Sequence, residues 1–404
     1  MKRKTTQQKQ QQPQQQQQQV QTTKKTKNTS ASSAPTQTSK KQQQPKQTKD
    51  NDKNKRPKKK KRMSQSDNAS EDGSSYETYD SNEEDVYEGE VDEDGERHGH
   101  GSLYTLDGFI MEGEWVHGTL NGKGSLIYED VLIEGQYVDG ELSGHCSEFT
   151  LEHVLTFEGE YVSGERNGKG VLHNIDGSRI EGVWTDSILS GECTFYYPDE
   201  RFTIKGTWED GEFVKGTAGT TISEFPINID TNVVRDEGTS STISTNPTLP
   251  DLFEEYYLYV KESNIPNSGE GLFAKVDIPA DRLVSYYNGM RIDPKIADDR
   301  DWEFNRNTMY LDKETYIDIP PEWSTSDKYC ASLGHKANHD LNNNTVYRSC
   351  YHPRFGDIKC VRSIRAIAKD EEILVNYDYE EKDKPQWYKD LESSRPEGQP
   401  AQRN

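Results

Sequence analysis

The stretch "MEGEWVHGTLNGKGSLIY" (Met111–Tyr128) decides how the chain folds. Alternation puts Met111, Gly113 and Trp115 on one face of an extended segment, and the apolar run "GSLIY" follows after a glycine-rich centre. That pattern has the period of a β-hairpin and not of a helix. The unit recurs as "YEGEV", "MEGEW", "IEGQY", "FEGEY", "IEGVW" and, with Lys for Glu, "IKGTW". The glycines of these copies, Gly89, Gly113, Gly135, Gly159, Gly182 and Gly206, are spaced 24, 22, 24, 23 and 24 residues apart. The Asn121–Gly122 and Asn167–Gly168 steps are expected to make the tight turns. Ser187 stands where the fifth copy would carry a turn glycine. One hairpin cannot bury its own aromatic face, so about six copies over residues 87–216 should stack into a curved sheet with one core.

Outward from the repeats, composition changes on both sides. Of the 404 residues, the first 62 hold glutamine runs, with 19 Lys and Arg against only Asp50 and Asp52. The whole chain carries −22, so a basic arm precedes an acidic body. Too little of the arm (1–62) is apolar to offset the entropy of ordering it, and disorder is expected. Its densest part, "KNKRPKKKKR" (Lys53–Arg62), reads as a nuclear localisation signal or a nucleic-acid patch; a solvated charge run fits the same residues. Residues 63–86 form an acidic, Ser-rich linker. No apolar run approaches the ~18 residues that span a bilayer, and no hydrophobic signal core opens the chain, so no membrane contact is expected. The five cysteines, Cys146, Cys193, Cys330, Cys350 and Cys360, include no CxxC pair, which suggests free thiols in a reducing, intracellular setting.

After a connecting segment (217–250), residues 251–380 read as many short strands joined by polar loops, and 381–404 as a helix and tail. Helical spacing is confined to Lys295–Asn305 and to the end, where Trp387 and Leu391 fall at i, i+4. No GxSxG elbow, P-loop or HExxH is present, and His335, His339 and His352 have no cysteine partner, so no metal is expected. The distinctive residue is tyrosine: Tyr286, Tyr287, Tyr347, Tyr377 and Tyr379 all belong to this segment.

The repeats resemble MORN repeats in period and residue type. "GEGLF" (269–273), "YNG" (287–289), "GHKANH" (334–339) and "EEILVNYDY" (371–379) resemble, in order and spacing, a SET-domain lysine methyltransferase. "DRDW", "SLGHKANH" and the "HPRFG" and "IKC" segments are similar to the MORN-repeat SET enzymes that monomethylate lysine on histone H3 and other proteins. This resemblance covers about residues 87–393 and implies a mainly β protein: a hairpin sheet, then a knotted all-β SET domain with a short C-terminal helix.

It further implies S-adenosylmethionine as cofactor, held by Gly269, Glu270, Gly271, Asn307, His335, Lys336, Asn338, His339 and Trp387. Tyr377 would be the catalytic tyrosine, with Tyr287 and Tyr347 lining the lysine channel, and Asp298, Trp302, Thr308 and Tyr379 lining the peptide groove. The implied partner is a histone H3 tail or another lysine-containing protein, the implied location the nucleus, and the expected state a monomer. Contact of the basic arm with chromatin or nucleic acid is a further expectation. In the usual Asn-His-Ser-x-x-Pro-Asn motif this chain has Asp340 for Ser and Asn343 for Pro, while Asn344 keeps the last position. The competing reading is an inactive SET/MORN protein acting as a nuclear peptide reader or scaffold; loss of Tyr377 or of the Asn-His pair would favour it, and both are retained.

Overall fold

In a 13-stranded sheet every strand lies beside its neighbour in sequence. A computed structural model describes residues 84–226, 230–377, 379, 384 and 386–393. The basic arm, most of the acidic linker, and the side chains of Trp302, Trp387 and Leu391 lie outside that description.

Six successive hairpins build the sheet. They pair Val86–Val91 with Arg97–Tyr104, Ile110–Val116 with Thr119–Tyr128, and Val131–Val138 with Glu141–Thr150. The remaining three pair Leu155–Val162 with Glu165–His173, Arg179–Thr185 with Ile188–Tyr196, and Phe202–Glu209 with Glu212–Thr220. Asn232–Val234, from the connecting segment, adds the last strand.

The repeat glycines face one another across the sheet. Gly89 is opposite Gly101, Gly101 opposite Gly113, Gly113 opposite Gly124, and Gly124 opposite Gly135. A Cβ on Gly206 would lie 2.2 Å from the Lys215 carbonyl oxygen and 2.7 Å from the Gly216 Cα, a distance at which neither backbone could stay in place. Two positions inside this row of glycines carry side chains instead: Cys146 is opposite Gly159 and Cys193 opposite Gly206. Both thiols are free and buried. Two residues beyond the glycine of each of five copies, Trp115, Tyr137, Tyr161, Trp184 and Trp208 are buried in the core.

The tight turns are not the Asn-Gly steps. Asn121–Gly122 and Asn167–Gly168 lie inside strands, at bulges where the register slips between Gly113 and Trp115 and between Gly159 and Tyr161. Within the last five hairpins the two-residue turns are His117–Gly118, Asp139–Gly140, Ser163–Gly164, Asp186–Ser187 and Asp210–Gly211, with positive φ at both residues. This is the twist that two-residue hairpin connections require. Each turn's second amide donates to a carbonyl of the preceding hairpin: Gly118 to Arg97, Gly140 to Leu120, Gly164 to Leu142, Ser187 to Arg166 and Gly211 to Leu189. Asn121 and Asn167 add side-chain bonds from Nδ2 to Asp139 and Asp186, at 3.3 and 3.2 Å.

The C-terminal portion follows on a short helix, Leu252–Tyr257, that periodicity did not reveal. Its signal was capping: Asp251 accepts from the Phe253 and Glu254 amides, and Glu254 and Glu255 occupy the first turn. A five-stranded sheet has the order Leu283–Tyr287, Gly356–Ser363, Thr345–His352, Leu374–Val375 and Asn338–His339. Leu374–Val375 lies parallel between two strands that precede it in sequence, so the 371–377 segment is laid into an earlier part of the chain. A three-stranded sheet of Met290–Ile292, Tyr316–Asp318 and Thr308–Tyr310 stands beside it. The helical spacing at 295–305 resolves into a helix at Pro294–Asp299 and a 3-10 turn at Trp302–Asn305, and the C-terminal helix runs Gln386–Ser393. Among the described residues no helix is long and apolar enough to cross a membrane.

Ser187 is the one L-residue among the five second turn positions, at φ 65° where the other four are glycine. Left-handed backbone is costly for a residue with a Cβ. Ser187→Gly is expected to stabilise the protein by about 1 kcal/mol, raising the melting temperature by about 2 °C. Calorimetry of the two proteins checks this; an unchanged or lower melting temperature would contradict it.

Candidate functional site

Tyr286 and Tyr287 are adjacent on one strand and therefore point to opposite faces. Tyr286 faces the repeat sheet, with ring centroids 6.2 Å from Tyr197, 6.3 Å from Phe253 and 4.6 Å from His352. It is a core residue, outside the tyrosine cluster of the site. Tyr287 faces the other way, into a cavity of about 750 Å³ that it shares with Tyr347, Tyr377, Tyr379, His335 and Asn307. Tyr347 meets Tyr287 edge to face at 5.8 Å, and Tyr377 meets Tyr379 likewise at 5.8 Å.

Two of these hydroxyls are fixed as donors. Tyr287 Oη donates to the Asn307 carbonyl at 2.8 Å, and Tyr377 Oη to the Ala337 carbonyl at 3.1 Å. With the proton committed to the backbone, each oxygen offers only lone pairs to a further partner. Burial pushes the Tyr377 hydroxyl up to about 12. Burial, then neighbouring tyrosines, holds Tyr287 and Tyr347 well above the usual tyrosine range. All three are protonated at neutral pH.

Asn338 and His339 form a short strand against Leu374–Val375. His339 Nδ1 accepts the Tyr377 amide at 3.1 Å, which places that histidine behind the tyrosine as a positioning group. Its ring stacks on Tyr388 at 4.6 Å. Asn338 Nδ2 donates to the Glu270 carbonyl at 3.1 Å. The Glu270 carboxylate pairs with Lys336 at 2.8 Å and takes the Ser326 hydroxyl at 2.7 Å. Burial raises the Glu270 carboxyl, but the Lys336 and Ser326 bonds outweigh it and hold it below the ordinary range. Glu270, Lys336 and Asn338 therefore form a polar cluster behind His335, which itself lines the cavity.

His335 is 7% exposed and neither ring nitrogen makes a hydrogen bond of good geometry. Burial, then the Lys336 charge, depresses its basicity well below the usual histidine range, so it is neutral. At Gly269, φ is +70° and no atom lies within 4 Å of the place where a Cβ would stand. Gly271 differs: a Cβ there would meet Glu372 Oε1 at 2.5 Å.

The altered loop makes its own supports. Asp340 Oδ1 accepts the Asn342 amide at 2.7 Å, an Asx turn in place of the proline's stiffness. Asn344 is fully buried, donating to the Glu372 carbonyl at 2.7 Å and accepting the Leu374 amide at 2.8 Å. On the other wall, Thr308 Oγ1 donates to Asp318 at 2.6 Å and accepts from Arg300, itself paired with Asp318 at 2.7 Å. Asp298 is exposed at the rim. The 3-10 turn that carries Trp302 lies beside it.

Sequence reasoning passed over Glu254. This carboxylate is fully buried; one oxygen accepts the Ser285 hydroxyl, the Tyr286 amide at 2.9 Å and the Leu333 amide at 3.1 Å. It thus holds both the strand that carries Tyr287 and the loop that leads to His335. Burial, then the nearby Asp251 charge, raises Glu254 to about 8. The folded state therefore binds this proton more tightly than the unfolded state, whose value is 4.5, and stability falls as pH rises between the two. Glu254→Gln removes that term. The melting temperature of the variant relative to the natural protein is expected to climb from pH 5 to pH 8, and a difference independent of pH would exclude the assignment.

Comparison with known proteins agrees with the geometry. The SET domain family model matches residues 269–378, and the MORN repeat model matches 87–108, 112–130, 157–179 and 181–200. The third and sixth hairpins lie outside the matched spans, yet keep the core residues Tyr137 and Trp208. A histone-lysine N-methyltransferase SETD7 of Halocynthia roretzi is 41% identical over 189 residues, which is 45% of this chain and 48% of that protein. The chain thus matches about half the length of that curated relative. The hairpin sheet, the interlaid strands and these matches identify the chain as a MORN-repeat protein with a SET domain.

Proposed function

We propose that the chain is a protein-lysine N-methyltransferase that uses S-adenosylmethionine and adds one methyl group to lysine on histone H3 or other proteins. The observation that carries this reading is the convergence of Tyr287, Tyr347 and Tyr377 on one cavity, two of them with their protons committed to backbone carbonyls. A peptide reader without chemistry would have no need of such a set.

When bound, S-adenosylmethionine supplies a methyl carbon activated by a positively charged sulfur. Gly269, Glu270, Gly271, Asn307, His335, Lys336, Asn338, His339 and Trp387 would hold it. Two observations fit that role: the open space beside Gly269 and the His335 ring nitrogens, neither of which makes a hydrogen bond of good geometry. The Glu270–Lys336 pair offers both signs of charge to a zwitterionic amino-acid group.

A free lysine titrates near ~10.4, so presenting the neutral amine at pH 7 costs roughly 4–5 kcal/mol. Enclosure among the tyrosine rings disfavours the charged ammonium and reduces that cost. The Tyr287 and Tyr377 oxygens accept N–H bonds from the amine and fix the direction of its lone pair. Because these hydroxyls stay protonated, neither serves as the base. Tyr347 closes the remaining side, and a second methyl would have to displace a hydrogen bond or a water. Asp298 at the rim offers a carboxylate to a basic residue beside the target lysine, with Trp302, Thr308 and Tyr379 lining the groove. The basic arm supports a nuclear location and contact with chromatin.

Transfer of radiolabelled methyl to core histones and an H3 tail peptide, followed by mass spectrometry, tests the reading. The natural protein is expected to give monomethyl-lysine, Tyr377→Phe to lose about 10²-fold in rate through lost orientation of the amine, and Tyr347→Phe to accumulate dimethyl-lysine. Absence of both cofactor binding and transfer would sink the enzyme reading. Tight cofactor binding without transfer would sink only the histone substrate. Monomethyl product alone from Tyr347→Phe would refute the account of product choice.

A further inference from the structure

Two of the five junctions between hairpins carry the same side-chain bond. Asn121 donates to Asp139 and Asn167 to Asp186, each from the residue before a bulge glycine to the first residue of the next hairpin's turn. At the start of the sheet the corresponding residues are His98, before Gly99, and His117, before Gly118. Their rings lie 5.4 Å apart. A third group joins them: His117 Nδ1 is 3.1 Å from Asp92 Oδ2.

Asp92 is oriented for this. Its Oδ1 accepts the Asp94 and Glu96 amides at 3.1 and 2.9 Å, which fixes the carboxylate and leaves Oδ2 toward the histidines. His98 Nδ1 is buried from solvent with no hydrogen-bond partner among the described residues. One donor atom from each of Asp92, His98 and His117 lies within 4.8 Å of the other two.

We propose that Asp92, His98 and His117 form a zinc-binding site that clasps the first hairpin to the second. Two imidazoles and a carboxylate are a donor set for a divalent transition ion, and hard cations such as magnesium prefer all-oxygen shells. Donors around tetrahedral zinc lie roughly 3.3 Å apart, given bond lengths of about 2.0–2.2 Å. The His117 side chain is 73% exposed and can turn to close the remaining gap. Water completes the fourth position. The site stands at the sheet's outer edge, where the Val86–Val91 strand is mostly exposed and has no neighbour on its far side among the described residues. A terminal repeat lacks half of the neighbour contacts that stabilise an internal one, and a metal clasp compensates there.

The test is titration of the full chain with zinc chloride by calorimetry at pH 7.5, with magnesium chloride as control. The expected result is uptake of one zinc ion and none of magnesium, with at least tenfold weaker zinc binding in His98→Ala and in His117→Ala. His100→Ala, two residues along the same strand, is expected to bind as the natural protein does. A double variant, His98→Asn with His117→Asp, rebuilds the pair used at two of the later junctions. It is expected to keep the metal-free melting temperature and lose the rise that zinc gives the natural protein. No zinc uptake by the natural protein, or uptake that the two alanine variants leave unchanged, overturns the proposal.

Discussion

Asp251 is the point on which both halves of the molecule depend. It is 6% exposed, and it accepts the Tyr197 hydroxyl at 2.5 Å from the repeat sheet and lies 3.3 Å from His352 Nε2 of the SET portion. The same carboxylate caps the Leu252–Tyr257 helix. Burial drives Asp251 toward its neutral form, but His352 and Tyr197 outweigh it and keep the group below its ordinary range. A buried charge of this kind is tolerable only with every lone pair engaged. The carboxylate therefore dictates where sheet, helix and strand must meet. Three residues later Glu254 continues the chain of contacts to Tyr286 and Leu333, whose neighbours Tyr287 and His335 line the cavity. The cavity is thus supported from the repeat side by an unbroken series of buried polar bonds.

Much of this was legible in sequence, for a physical reason. A repeat copies the same constraint six times, so the glycine file and its aromatic partners stood out by period alone. The mainly β architecture followed. What misled was local chemistry: Asn-Gly is the strongest hairpin signal, yet here the bulges took those residues and the turns fell on His117–Gly118 and its counterparts. Only three-dimensional packing decides which of two neighbouring glycine steps reverses the chain.

The candidate site divides similarly. Tyr287, Tyr347, Tyr377 and His335 do share a cavity, and His339 sits behind Tyr377. Tyr286, conspicuous in sequence only as one of five tyrosines, faces the core instead, a distinction that strand alternation makes only after the strand is placed. Asp251 and Glu254 were passed over because their partners are 54, 101, 31 and 79 residues away in the chain. Asp92, His98 and His117 escaped notice because no motif spacing unites them. Contacts of this separation leave no periodic trace.

The facing glycines have a consequence for how the chain can change its length. They form a crease, a line without side chains across the sheet, interrupted by Cys146 and Cys193 and ending on Val233. A whole hairpin could be removed or duplicated and the crease would close up, since each unit brings its own glycines and its own core aromatic. One residue inserted within a strand would not be absorbed. It would turn every later side chain to the opposite face, placing Trp184 or Trp208 in water and a glutamate in the core. The array is thus tolerant in steps of about 23 residues and, within its strands, intolerant in steps of one; the spacings of 22 to 24 are accommodated in the turns between hairpins.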